Sequence, residues 1–154
     1  MESKKVTILE YIMEYLFLFF LGGAIYYGIE ILWRGYSHPT MAIVGGICFI
    51  GIGLINEIFS WNMSIWKQVI LGDLFVLLVE FIAGCILNIW LGLGIWDYST
   101  MPFNLLGQIC LPFAFLWLPI VFVAIILDDW AKFILKKGER PHYNWNWNKK
   151  KGSS

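Results

Sequence analysis

The sequence predicts an all-α integral membrane protein, a four-helix bundle with its N- and C-termini cytoplasmic. Three observations predict it. Apolar residues make up 59% of the 154 residues and charged residues only 14%, against roughly 45–50% and about 25% in a soluble domain. Four apolar runs approach or exceed the ~20 residues a helix needs to cross a hydrocarbon core. Basic residues fall almost entirely on one side of those runs, ten against one, as the positive-inside rule requires.

Composition alone excludes several classes. With mean hydropathy +0.69, the chain lacks the polar surface to cover a globule in water. An ordinary soluble enzyme, a disordered tail and a disulfide-stapled secreted domain are disfavoured. Backbone groups in lipid need internal partners, and the runs do not alternate as barrel strands do, so the spans are helical. No basic stripe with interleaved aromatics runs along the body, so nucleic acid is not an expected partner. Cys48, Cys85 and Cys110 each lie in an apolar run without CxxC spacing. They read as small packing residues, and neither metal nor cofactor is expected.

Residues 1–143 read as one transmembrane domain with spans at about 11–33, 40–59, 66–91 and 105–127. The first span follows Lys4 and Lys5 as a signal peptide would. It is too long for one, however, and it contains Glu14 and Glu30. The second span carries Gly46 and Gly53 on one face, as the first carries Gly22 and Gly23, and small residues allow close helix contact. The third run extends to Trp96, about 46 Å if helical throughout, so it must tilt or break near Gly92 and Gly94. The fourth contains Pro112 and Pro119, each expected to bend it. Residues 144–154 read as a basic cytoplasmic tail whose Gly152-Ser153-Ser154 looks like a cloning remnant. With the N-terminus inside, Lys4, Lys5, Lys67, Lys132, Lys136, Lys137, Arg140, Lys149, Lys150 and Lys151 are cytoplasmic and Arg34 alone is outside. Tyr11, Trp33, Trp61, Trp66, Trp96, Tyr98 and Trp130 fall where interfacial belts are expected.

Polar residues inside the spans single out the candidate site, because an ionisable group there costs roughly 2.5–3.5 kcal/mol on insertion scales. Glu30 and Arg34 form an i,i+4 pair at the outer end of the first span. Asn56 and Glu57 end the second, with Glu57 expected to bridge to Lys67. Asp73 and Glu80 are seven apart on the third, separated by ~20° on a helical wheel, and Asn88 lies ~60° from Asp73. The three make a polar stripe that should face protein or water. Glu80 near mid-membrane has three options: protonation, hydrogen bonding to a partner such as Gln108, or service on a cation or proton path. In the outer loop, Trp96 to Asn104, Asp97 and Ser99 suit an Asx turn, Tyr98 and Trp96 suit anchoring, and Asn104 suits the cap of the fourth helix; the alternative is an extracellular mouth or ligand-contacting segment, with Trp96, Asp97, Tyr98 and Asn104 as its candidate residues.

These residues carry a resemblance. The runs RGYSHPTMAIVGG, GLINEIFSW, EFIAGCILNIWLG and WDYSTMPFNLLGQICL resemble a bacterial membrane family labelled ABC-transporter type IV, or ABC transporter permease, over roughly Tyr11 to Tyr143. The matching positions include Glu80, Trp96, Asp97, Tyr98, Phe103, Asn104 and Gln108. The resemblance implies a multi-pass protein of the bacterial cytoplasmic membrane and a permease. It implies no substrate.

Two functions follow as expectations. The first is a permease- or channel-like transport component using the acidic stripe, with Asp73, Glu80, Asn88, Gln108 and Glu57 as its candidate transport or ligand residues. With only four spans and no G-x-x-x-x-G-K-[ST] to hydrolyse ATP, it would need a homo-oligomer or other membrane subunits. The alternative is a non-transporting scaffold or accessory subunit, touching membrane lipid through its basic tail. No enzyme is expected. His38 and His142 fall on opposite sides of the membrane, and no HExxH or metal cluster occurs.

Overall fold

Apolar runs whose backbone must satisfy itself without water fold as helices, and the computed structural model, which describes residues 7–135 and 138–148, is helical along all four. Four helices are long and apolar enough to cross a membrane: Ile8–Arg34, Pro39–Ile58, Ile65–Trp90 and Leu111–Ile134. Among the described residues there is no strand, only isolated bridges. The fold is all-α, with four long apolar helices compatible with a membrane bundle. Lys4, Lys5, Lys136, Lys137, Lys149, Lys150, Lys151 and the Gly152-Ser153-Ser154 end lie outside the described residues. The chain divides into two compact units, one reaching to Ile50 and the other beginning at Gly51.

In the first unit, α1 (Ile8–Arg34) starts at a capping box. Thr7 accepts from the Glu10 amide, while the Glu10 carboxylate accepts from the Thr7 amide at 2.9 Å. The helix stops at Gly35, whose φ of 80° turns the chain out of the helix. α2 (Pro39–Gly53) packs on α1 through glycines: Gly22 lies against Phe49, Gly45 against Tyr26 and Gly46 against Phe19. A Cβ at any of them would collide with the facing ring, so these glycines set the helix separation.

In the second unit, α3 (Ile55–Ile58) extends the second span after a break at Leu54. α4 (Ile65–Gly84) runs antiparallel to α5 (Leu111–Ile134). Trp66 stacks on Phe122 with centroids 6.1 Å apart, Gly72 makes room for Val121, and Gly84 makes room for Gln108. After Gly84 the helix widens into a π-helical turn, Cys85–Trp90, with the Leu91 amide bonded to the Ile86 carbonyl at 2.9 Å. Gly92 and Gly94, both at positive φ, then end it, so the overlong third run breaks.

The fourth helix corrects two expectations. It begins at Leu111, not at residue 105, and continues to Ile134, well beyond residue 127. Residues 105–110 are apolar enough for a helix, but Leu106 (φ 52°) and Gly107 (φ 70°) turn the chain back, and the Leu105 amide bonds to the Ile109 carbonyl. Pro112 lies in the first turn, where its missing N–H costs nothing. Only Pro119 lies inside the helix. The segment before Asn148 also differs from a free tail. The Asn144 carbonyl accepts the Ile65 amide at 2.8 Å, and Asn144 Nδ2 donates to the Asn62 carbonyl at 2.8 Å. His142 stacks on Trp61 at 4.8 Å.

Candidate functional site

The second unit holds its polar side chains in three groups. The first sits where α3 meets the last turns of α5. Asn56 Nδ2 donates to both oxygens of Asp129, at 2.9 and 2.8 Å. Lys132 lies one turn after Asp128, so its ammonium reaches Asp128 Oδ2 at 2.9 Å, and it also reaches Glu57 Oε1 at 2.6 Å and the Gly53 carbonyl at 3.1 Å. Asp128 is 0% exposed, and its carboxylate occupies the space a Cβ on Gly53 would need. Beyond the helix end, Tyr143 faces Asp129. Burial first, and then the Asp129 charge, push the phenol above its ordinary pKa. Glu57 therefore pairs with Lys132 and not, as expected, with Lys67. Lys67 instead lies over the Trp147 ring, 5.3 Å from its centroid.

The second group lies deep in α4. Gln68, Gly72, Asp73, Val76, Glu80 and Gly84 form the buried face of the helix, and Asp73 and Glu80 lie together on it as their seven-residue spacing requires. Glu80, 5% exposed, accepts a hydrogen bond from Trp117 Nε1 at 3.0 Å. Its partner is an indole across the α4–α5 contact, not Gln108. Asp73 is 7% exposed, and its buried Oδ1 has no hydrogen-bond partner among the described residues.

The third group closes the other end. Asn88, carried by the π-helical turn, donates to Gln108 Oε1 at 2.9 Å and accepts the Ile95 amide at 2.7 Å. Gln108 Nε2 donates to the Leu106 carbonyl at 2.8 Å, and Trp96 Nε1 donates to the Gln108 carbonyl at 2.9 Å. Every polar atom named here has a hydrogen-bond partner within the group. The loop outside it is built by its own side chains. Asp97 accepts from the Ser99 hydroxyl and amide, and those bonds hold its carboxyl below the usual carboxylate range. Tyr98 stacks on Phe113 at 4.6 Å. Asn104 does not cap the fourth helix: its amide donates to the Ser99 and Met101 carbonyls and its oxygen accepts the Gly107 amide, while Cys110 occupies the cap position. In the first unit, Arg34 pairs with Glu30 at 2.8 Å, and Ser37 Oγ donates to the same carboxylate at 2.5 Å.

The structure thus places Asp73 and Glu80 on one buried face, brings Asn88 to Gln108 and Trp96, and sets Glu57 in a separate cluster. Asp97, Tyr98 and Asn104 serve the loop. Asp128, Asp129, Lys132, Trp117 and Tyr143 were not singled out by sequence. The signal for the first three was present in DDWAK, an i,i+4 acid–base pair continuing an apolar run without any turn residue. Among the described residues, no group of three His, Cys, Asp or Glu is placed to hold a metal ion.

No curated protein and no solved structure matches the chain. A family model does, over residues 11–144, which takes in all three polar groups and both units. The chain belongs to the family described as "Putative ABC-transporter type IV".

Proposed function

We propose that this multi-pass membrane protein is the membrane-spanning permease component of a transporter in the bacterial cytoplasmic membrane, with both termini cytoplasmic, and that protons or cations pass by way of Asp73. The observation that carries the reading is the unpartnered, buried Asp73 oxygen within a membrane-spanning helix. A carboxylate in that position is expensive, and an ionisable group inside a span is by default a candidate for an ion or proton route. Asp128 and Asp129 on α5 add acidic groups nearer the helix end, beside a lysine that balances them in part. The chain carries no phosphate-binding loop, so coupling to ATP would come from another subunit.

The test is proton flux into proteoliposomes, read by an entrapped pH dye under a potassium diffusion potential. Asp73→Asn is expected to lower the rate tenfold or more. An unchanged rate removes Asp73 from the path. A second reading, an accessory subunit that does not itself conduct, is favoured by the enclosure of Glu80 against Trp117. It is supported if the wild-type chain gives no flux and a stoichiometric membrane partner co-purifies with it.

A further inference from the structure

The chain between α4 and α5 is inverted relative to a loop in water. Residues 91–110 carry one charged side chain, Asp97, where a soluble segment of that length would carry about five. Trp90, Leu91, Leu93, Phe103, Leu105 and Leu106 are all exposed, Phe103 at 85% and Leu106 at 64%. The hydrogen bonding, by contrast, is internal. The Tyr98 amide donates to the Gly107 carbonyl at 2.8 Å, the Leu105 amide to the Ile109 carbonyl at 2.9 Å, and the Gln108 amide to the Leu105 carbonyl at 3.0 Å. Asn104 serves two further carbonyls and one amide of the same segment. A segment that bonds its own backbone loses little by leaving water, and exposed apolar side chains gain by it. Phe103 and Leu106 are also the two non-glycine residues at positive φ among the described residues, both at 52°. A Cβ makes that conformation costly, and here it falls on the two large apolar side chains that residues 91–110 expose most. α5 sets the depth. Asp128 and Lys132 follow Leu111 by 17 and 21 residues, about 26 and 32 Å along a helix. A hydrocarbon core of about 30 Å that begins at this charged cluster therefore ends near Leu111. There the apolar face of the loop continues the exposed flank of α5 at Leu111 and Phe115. Irregular backbone is not found exposed to lipid within the core itself, so the boundary layer is the depth that suits both backbone and side chains.

We propose that the α4–α5 loop is a membrane-surface anchor, its backbone at headgroup level and Phe103, Leu105 and Leu106 set into the acyl boundary of the leaflet at the Leu111 end of α5. Lipid, and not water or a protein partner, covers its apolar face. The inference rests on the membrane-spanning fold and is independent of any proton path through Asp73.

The full chain, with Cys48, Cys85 and Cys110 changed to alanine, receives a nitroxide through Thr100→Cys, Phe103→Cys or Leu106→Cys and is placed in phosphatidylcholine–phosphatidylglycerol nanodiscs. Power-saturation EPR then measures collisions with oxygen, which concentrates among acyl chains, and with a water-soluble nickel chelate. The oxygen-to-nickel accessibility ratio at 103 and 106 is expected to exceed that at the exposed, polar Thr100 position at least threefold. Leu105→Cys, at an ordinary backbone position, gives the same reading if a change at either strained residue prevents folding. Ratios at 103, 105 and 106 that stay within threefold of that at 100 would place the face in water. Low accessibility to both reagents at those sites would mean that protein covers it. Either result overturns the proposal.

Discussion

Lys132 sits between a wholly buried carboxylate and a half-exposed one, and the difference decides what its loss would do. The Glu57 side chain is 42% exposed, so water and salt screen that pair and it contributes little. Asp128 is 0% exposed, and removing its partner leaves an unpaired charge where no solvent reaches. Lys132→Met should therefore destabilise the protein by about 3–5 kcal/mol, read as a lower melting temperature in detergent. Replacing both partners, as in Asp128→Leu with Lys132→Met, removes the stranded charge and should recover most of that loss. A double variant as unstable as the single one would show that Asp128 is held by something other than its ion pair.

At the scale of elements, the second unit depends on glycines that let side chains cross between helices. A Cβ on Gly84 would stand 2.8 Å from Gln108 Cβ, an atom close to the backbone that cannot swing away. Gly28 on α1 has nothing within 4 Å. Gly84→Ala should lower the melting temperature by forcing Gln108 off Asn88, whereas Gly28→Ala should be neutral or slightly stabilising through helix propensity. Equal effects would mean that the α4–α5 contact near Gln108 is looser than the structure places it. Elements were legible in the sequence where periodicity or turn chemistry is local. The seven-residue spacing of Asp73 and Glu80 put them on one face, and Gly92 and Gly94 announced the break after α4. The start of α5 was not legible, because Leu105, Leu106, Ile109 and Cys110 are as apolar as the helix that follows. Only the backbone at Leu106 and Gly107 separates them. The predicted fourth span stops at residue 127, just short of Asp128 and Asp129, although the helix continues through them. Here Asn56, Lys132 and the absent side chain of Gly53 give them a place inside. The stacking of His142 on Trp61 joins residues some 80 positions apart, and no local pattern in HYNWNWN points to it.

For the whole molecule, the distribution of charge and the number of spans make one joint prediction. If each of the four long apolar helices crosses once, the chain returns to its starting side, and the basic residues predict that this side is the cytoplasm. Among the described residues, Lys67, Lys132 and Arg140 lie at the ends that face one way and Arg34 at an end that faces the other, if every long helix crosses once. In a variant with Cys48, Cys85 and Cys110 changed to alanine, single cysteines at the exposed Tyr36 and Thr100 positions should react with a membrane-impermeant maleimide in intact cells. One at the exposed Glu139 position should react only after permeabilisation. Labelling of Thr100→Cys and Glu139→Cys from the same side would mean that α5 does not span, and Asp128 would then lie at an interface with water instead of at the end of a crossing. Labelling of all three sites in reverse would keep the four crossings but invert the chain. That outcome would set the ten lysines and arginines on the side where the membrane potential opposes them, so it is the stricter test of whether charge alone orients this protein.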